Sequence, residues 1–247
     1  MKLAPQRALL VIFIAVIFIA VVVGSTIAAA LLMKGPDRPP ALAPARPKLL
    51  LLTSLPLVFN ESFSLSGGGS TALKSLQGRY QVLPISVADG AELAKSDLLL
   101  MAQPPTQTAE NLVVLDEWVR RGGRLLLLAD PMLEWPSKLP FGDPLRPPPV
   151  FMDTGLLAHW GVRLAGPDRR GPAIRKLGGY DVLTESPGIL SGACSISADR
   201  LVARCYIGAG SATIVSDADL LDVDRLGSAG QHNLDGLLAE LARVGRR

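Results

Sequence analysis

The sequence predicts an α/β fold: a doubly wound, mostly parallel sheet with a β-hairpin insertion, preceded by one transmembrane helix. Three observations predict it. From Lys48 to Pro131, short apolar runs alternate with helical patterns, the order expected of parallel strands joined by crossover helices. One of those runs, Leu125 to Ala129, is wholly apolar, as a strand covered on both faces must be. Ahead of them, residues 8–33 carry no charge and exceed the roughly 20 residues that span a bilayer.

Taken in order, residues 1–7 form a short basic tail and 8–33 the expected anchor. Its length favours an anchor over a secretory signal, whose apolar core runs ~7–15 residues, although Ala28-Ala29-Ala30 resembles a cleavage site. Lys2 and Arg7 lie before the span and Lys34, Arg38, Arg46 and Lys48 after it, so a positive-inside count leaves the orientation open. Residues 34–47, with prolines at 36, 39, 40, 44 and 47, read as an extended linker. The α/β domain is placed at 48–247.

Leu49–Leu52 is the first expected strand, and a short helix follows near Thr71–Gln77. Tyr80–Ile85 is the second strand, Ala91–Lys95 a turn or short helix, and Asp97–Gln103 the third strand, closed by Pro104-Pro105. Glu110–Arg121 is an amphipathic helix with Leu112, Leu115, Trp118 and Val119 at helical spacing, stopped by Gly122-Gly123. The fourth strand, Leu125–Ala129, ends at Asp130-Pro131. Residues 133–150 are proline-rich and irregular, a length of loop that is usually functional. A helix over Asp153–His159 and a strand at Val162–Leu164 follow, and 165–190 give no firm pattern.

Around Asp199-Arg200 the apolar alternation pairs Ala198 with Leu201, Ile196 with Ala203, and Cys194 with Cys205 in one hairpin register. This leaves two readings of the cysteines: a cross-strand disulfide in an oxidising compartment, or two buried thiols. Ala212–Ser216 is the last strand, ending at Asp217-Ala218-Asp219. Asn233 is expected to cap a closing helix with Leu234, Leu237, Leu238 and Leu241 on one face.

The chemistry is sparse. A net charge of +3 without a Lys/Arg stripe gives no argument for nucleic acid. Nucleophile elbow, Walker loop and HExxH are all missing, so no catalytic residue, cofactor or metal is expected. Gly67-Gly68-Gly69-Ser70 before a helix resembles an anion cradle without the following Lys, and His159 and His232 have no partners at motif spacing. Gln103, Asp130 and Asp217 each terminate a buried strand. In a parallel sheet such ends converge, so the three are candidates to line one ligand crevice, the simpler alternative being that the aspartates bond loop N–H groups.

The block Leu115-Asp-Glu-Trp-Val-Arg-Arg-Gly-Gly-Arg-Leu-Leu-Leu-Leu-Ala-Asp-Pro131, after Asp97-Leu-Leu-Leu-Met-Ala102, resembles the gliding-motility-type auxiliary component of ABC transport systems. Thr154-Gly-Leu-Leu-Ala-His-Trp-Gly-Val-Arg-Leu164 and Ile207 to Leu221 are similar to later blocks of that family. The resemblance implies a glutamine amidotransferase-like (flavodoxin-like) domain without the catalytic residues, anchored in the cell inner membrane with the domain on the periplasmic side. It also implies partnership with ABC transporter permease or ATPase subunits and makes the Cys194–Cys205 bridge more plausible. The absence of a carboxyl-terminal span departs from the family. The alternatives are a hydrolase using Asp130 and Asp217, and a sugar- or cell-wall-binding module, for which aromatics at 5% leave Trp135 as the candidate platform.

Overall fold

The computed structural model describes residues 16–21, 45–58 and 69–246, and the chain divides into units of residues 1–45 and 46–247. The second unit is built on a seven-stranded sheet. Its strands are β1 (Lys48–Thr53), β2 (Gln81–Pro84), β3 (Leu98–Ala102), β4 (Arg124–Leu128), β9 (Ser195–Ile196), β10 (Val202–Ile207) and β11 (Gly210–Val215), in the order β2-β1-β3-β4-β11-β10-β9. Between them in sequence lie β5 (Val162–Ala165) paired with β8 (Ile189–Gly192), and β6 (Pro172–Leu177) paired with β7 (Tyr180–Glu185).

Residues of opposite parity on the central strands feed two cores. Leu49, Leu51, Leu98, Leu100, Leu126 and Leu128 face α1 (Thr71–Arg79), Val223 of the short α5 (Val223–Leu226) and the closing helix α6 (Ser228–Val244). Leu50, Leu52, Leu99, Met101, Leu125 and Leu127 share the other face with Leu93 of α2 (Gly90–Leu93), with Leu115, Trp118 and Val119 of α3 (Ala109–Arg120), and with Leu157 of α4 (Leu156–His159). Continuous leucine runs therefore suit strands buried on both sides. Ser70 and Thr108 cap α1 and α3 by accepting hydrogen bonds from Leu73 N and Asn111 N. At Gly123 a Cβ would lie 2.4 Å from the Trp118 ring, so the turn after α3 requires glycine by close approach.

The expected fold class needs correction. The pairs β1–β2, β1–β3, β3–β4 and β4–β11 are parallel, but β10 runs antiparallel to both β11 and β9, so the sheet is mixed. The cause is local: Gly208, at φ +60°, and Ala209 form a two-residue turn that folds β10 straight back into β11. The hairpin over 195–207 is thus the edge of the central sheet rather than an insertion, and a uniformly wound glutamine amidotransferase-like or flavodoxin-like sheet is not what forms. The transmembrane helix is corrected too. Apart from residues 16–21, which are helical, the expected anchor over 8–33 lies outside the described residues. Among the described residues no helix is long and apolar enough to cross a membrane. Most of the 34–47 linker, and Gly67-Gly68 of the glycine run, also lie outside them.

Two further expectations change. The region 165–190, without a clear pattern in the sequence, holds the β6–β7 hairpin, turned by Gly178 and Gly179 at φ +59° and +94°. Asn233 is not a cap: α6 starts at Ser228, and the fully buried Asn233 side chain bonds Leu183 N and Leu183 O on β7, each at 2.8 Å, and Leu220 O.

Candidate functional site

The carboxyl ends of the parallel strands carry two features: a closed carboxylate network and an open cleft. The network begins with Gln103, fully buried just past β3 and held at φ +41°, a backbone state uncommon outside glycine. Its side chain recognises the next strand end. Oε1 accepts from Asp130 N at 3.0 Å, while Nε2 donates to Pro148 O at 3.0 Å and to Asp130 O at 3.3 Å. Asp130, also fully buried, accepts from Met132 N on Oδ1 and from Ala218 N on Oδ2, both at 2.8 Å. Asp217, past β11, accepts from Leu220 N at 2.8 Å and from Glu185 N at 3.0 Å.

The fold therefore brings Gln103, Asp130 and Asp217 together, yet each side chain is fully buried and engaged by the protein's own groups. Residues the sequence did not single out complete the network. Asp219, in a 3-10 turn (Asp219–Leu221), accepts from Glu134 N at 2.7 Å, and Glu134 Oε1 accepts from Ser186 Oγ at 2.6 Å. Burial dominates the electrostatics. It pushes Asp130 up to about 6, Asp219 up to about 7, and Asp217 well above the ordinary carboxylate range. Repulsion adds to it: Asp130 and Asp219 raise Asp217, Asp130 and Glu134 raise Asp219, and Glu134 raises Asp130. Among the described residues, no group of His, Cys, Asp or Glu is arranged to hold a metal ion.

The cleft lies where the chain's path across the sheet reverses. The path goes from β1 to β2 on one side and returns to β3 on the other. Ligands of open α/β sheets gather outside the carboxyl ends of strands at such a switch point. A cavity of about 370 Å³ occupies that position. Its walls are Leu52 of β1, Leu55 and Val58 after it, Ile85 after β2, and Leu145 from the 131–153 loop, with Ser54 and Ser86 the polar side chains beside Thr53. Among the described residues, none that lines it is charged. A cavity of about 410 Å³ lies at the opposite strand ends, beside Lys48, Asp97 and Arg124.

The other singled-out residues lie elsewhere. His159 sits at the end of α4, 3.1 Å from Arg120 Nη2 and beside Asp116, whose Oδ1 also accepts from Trp160 Nε1 at 2.7 Å; this set ties α4 to α3. His232 lies within α6. Trp135 packs partly buried against the core. Cys194 and Cys205 are joined by a disulfide, next to the Ile196–Ala203 pair of the β9–β10 ladder.

Residues 46–166, which run through β5, match a protein family described as an ABC-type uncharacterized transport system. No curated protein matches the chain. Among solved structures, it is similar to exo-β-1,4-mannosidase Op5Man5 from Opitutaceae bacterium strain TAV5. That alignment has 15% identity over 81% of this chain and 34% of that one, with a TM-score of 0.45. The β-galactosidase from Rahnella sp. R3 aligns at 11% identity over 82% of this chain and 32% of that one, with a TM-score of 0.48. A ThuA-like protein from Parabacteroides merdae ATCC 43184 aligns at 14% identity over 69% and 79%, with a TM-score of 0.33. The chain spans about a third of the length of the two glycosidases, and at TM-scores below 0.5 none of the three carries an argument about activity.

Proposed function

We propose that this protein is a non-enzymatic auxiliary component of an ABC-type transport system, acting at the periplasmic face of the cell inner membrane. Its α/β domain binds a transporter subunit or a small neutral ligand at the cleft on the β1–β3 switch point. The observation that carries the assignment is the family match over residues 46–166. The geometry is consistent with it. The strand-end carboxylates that a hydrolase would use are consumed by backbone N–H groups, and the cleft open at those strand ends has no charged or titratable lining group among the described residues. The Cys194–Cys205 bridge supports the placement, because disulfides persist in oxidising compartments.

The test is co-purification. Solubilised in mild detergent, the tagged full chain should bring down an ABC permease or ATPase subunit. Repeated recovery of the protein alone, under conditions that keep a known transporter intact, removes the assignment.

A further inference from the structure

The 131–153 loop, which supplies Pro144 and Leu145 to the cleft, is tied down by carboxylates at one end and by main-chain bonds at the other. Met132 N is held by Asp130 Oδ1 at 2.8 Å and Glu134 N by Asp219 Oδ2 at 2.7 Å. Further along, Pro148 O accepts from Gln103 Nε2, and Phe151 N donates to Asp130 O at 2.7 Å. Asp217 in turn bonds Leu220 N in the turn that carries Asp219, and Glu185 N at the end of β7. Three fully buried carboxylates thus fasten the loop, the turn and the hairpin to one another.

Buried negative charge is costly unless hydrogen-bond donors, a cation, a metal or a proton offset it. No metal-binding arrangement exists among the described residues. The cation acting on Asp219 is Arg225, at 41% side-chain exposure, which already pairs with Asp222 at 2.7 Å. Backbone N–H groups favour the charged forms, but the remaining charged groups acting on the cluster among the described residues repel it. Glu134 faces Asp130 and Asp219, and Asp130 and Asp219 both face Asp217. A second, independent observation identifies where compensation is missing. Asp219 Oδ1 is buried and has no hydrogen-bond partner among the described residues. An interior oxygen without a partner, inside a cluster of like charge, is where a bound proton removes the most unfavourable energy.

We propose that the Asp130–Asp217–Asp219 cluster is a proton-loaded latch. With a proton on the Asp219 carboxyl the 131–153 loop is held against the sheet, and loss of that proton to solvent leaves adjacent like charges that free the loop. The folded-state values of about 7 for Asp219 and about 6 for Asp130, raised chiefly by burial, put the change near neutrality. The latch rests on the cluster alone. Its consequence, that entry to the cleft beside Leu145 depends on pH, rests on the cleft being the binding site proposed above.

Amide hydrogen exchange on the full chain tests it. Protection of the Met132 and Glu134 amides, corrected for the intrinsic rate at each pH, should fall at least fivefold between pH 6 and pH 8, while amides of β1 and β3 stay constant. Asp219→Asn keeps an oxygen for Glu134 N and should flatten the dependence to within twofold. A flat wild-type profile overturns the latch, and so does an Asp219→Asn profile parallel to the wild type. If Asp219→Asn fails to fold, Glu134→Gln removes one charge that raises the Asp219 and Asp130 carboxyls and should move the wild-type fall to lower pH; an unmoved midpoint overturns the latch. Transporter association is not read in this experiment, so its failure leaves the transport assignment standing.

Discussion

Replacing Asp219 by Asn should change how the protein's stability depends on pH. In the folded state Asp219 titrates at about 7, against an ordinary 3.8. The folded protein therefore binds more protons than the unfolded chain between those values, and its stability falls as pH rises through them. The contribution is fully present below about 3.8 and lost above about 7. From pH 5 to the folded value is about two units, and at about 1.4 kcal/mol per unit the wild type loses roughly 3 kcal/mol from this group by pH 8. Asp130, at about 6, adds roughly 1 kcal/mol in the same direction. The asparagine does not titrate, so the variant should lose the roughly 3 kcal/mol slope and keep the smaller one. Its amide group will occupy the place of the unpartnered Oδ1 at a cost of about 1–3 kcal/mol, but that cost is the same at both pH values and cancels from the slope. Urea unfolding followed by far-ultraviolet circular dichroism at pH 5 and pH 8, with the disulfide intact, measures both slopes. With m near the top of the usual range of about 1–3 kcal/mol/M, the difference amounts to about 1 M in the midpoint. Wild-type and variant curves that stay parallel within about 0.5 kcal/mol would refute the assignment of a buried, titrating Asp219.

Two further outcomes follow from side chains that join separate elements. Asn233→Ala removes three hydrogen bonds between α6, Leu183 and Leu220 and leaves backbone groups of β7 buried without partners. It should cost about 3 kcal/mol, read as a fall in Tm of about 6–12 °C by calorimetry; a change under about 1 °C would show that the helix does not depend on this contact. The unreduced protein should show no free thiols by mass spectrometry after alkylation, and Cys194→Ser with Cys205→Ser should lower unfolding free energy by about 2–3 kcal/mol for so short a loop. Two free thiols in protein taken from its native compartment would exclude both the bridge and the periplasmic placement.

The elements legible in the sequence are those whose side chains all have one fate. Leu49–Leu52, Leu98–Ala102 and Leu125–Ala129 are apolar throughout because both faces of the central strands are covered. The pairing of Ile196 with Ala203 was legible because apolar and polar residues alternate about one turn. What could not be read depends on direction or on distant partners. Gly208 and Gly210 register as a chain break, but whether β10 crosses over or folds back is decided by the two-residue turn, and that decision made the sheet mixed. The β6–β7 hairpin was hidden because its outer face is open. Ile174 and Tyr180 are exposed, so hydrophobic alternation is weak, and the usable signal was Gly178-Gly179 between two six-residue strands. Asn233 looked like a cap because capping is the usual local role of asparagine before a leucine face, whereas its partners lie 50 and 13 residues away. Gln103, Asp130 and Asp217 were found by their place at strand ends. Asp219 and Glu134 were missed because they join the site through a turn and a loop whose paths no periodicity encodes.

The same hydrogen bonds decide which of the two strand-end features can meet a ligand. To reach the carboxylates, a ligand must displace the backbone N–H groups of Met132, Ala218, Leu220, Glu185 and Glu134 from Asp130, Asp217 and Asp219. If each orphaned group costs about 1–3 kcal/mol, the sum is on the order of 5–15 kcal/mol, as large as the whole stability of a typical domain. No small ligand recovers that from a site that is fully buried to begin with. The cleft at Thr53, Ile85 and Leu145 demands only the release of water from apolar walls, which favours binding. On the reading proposed above, recognition falls to the cleft, and the carboxylates act on it at second hand, by holding in place the loop that forms one of its walls.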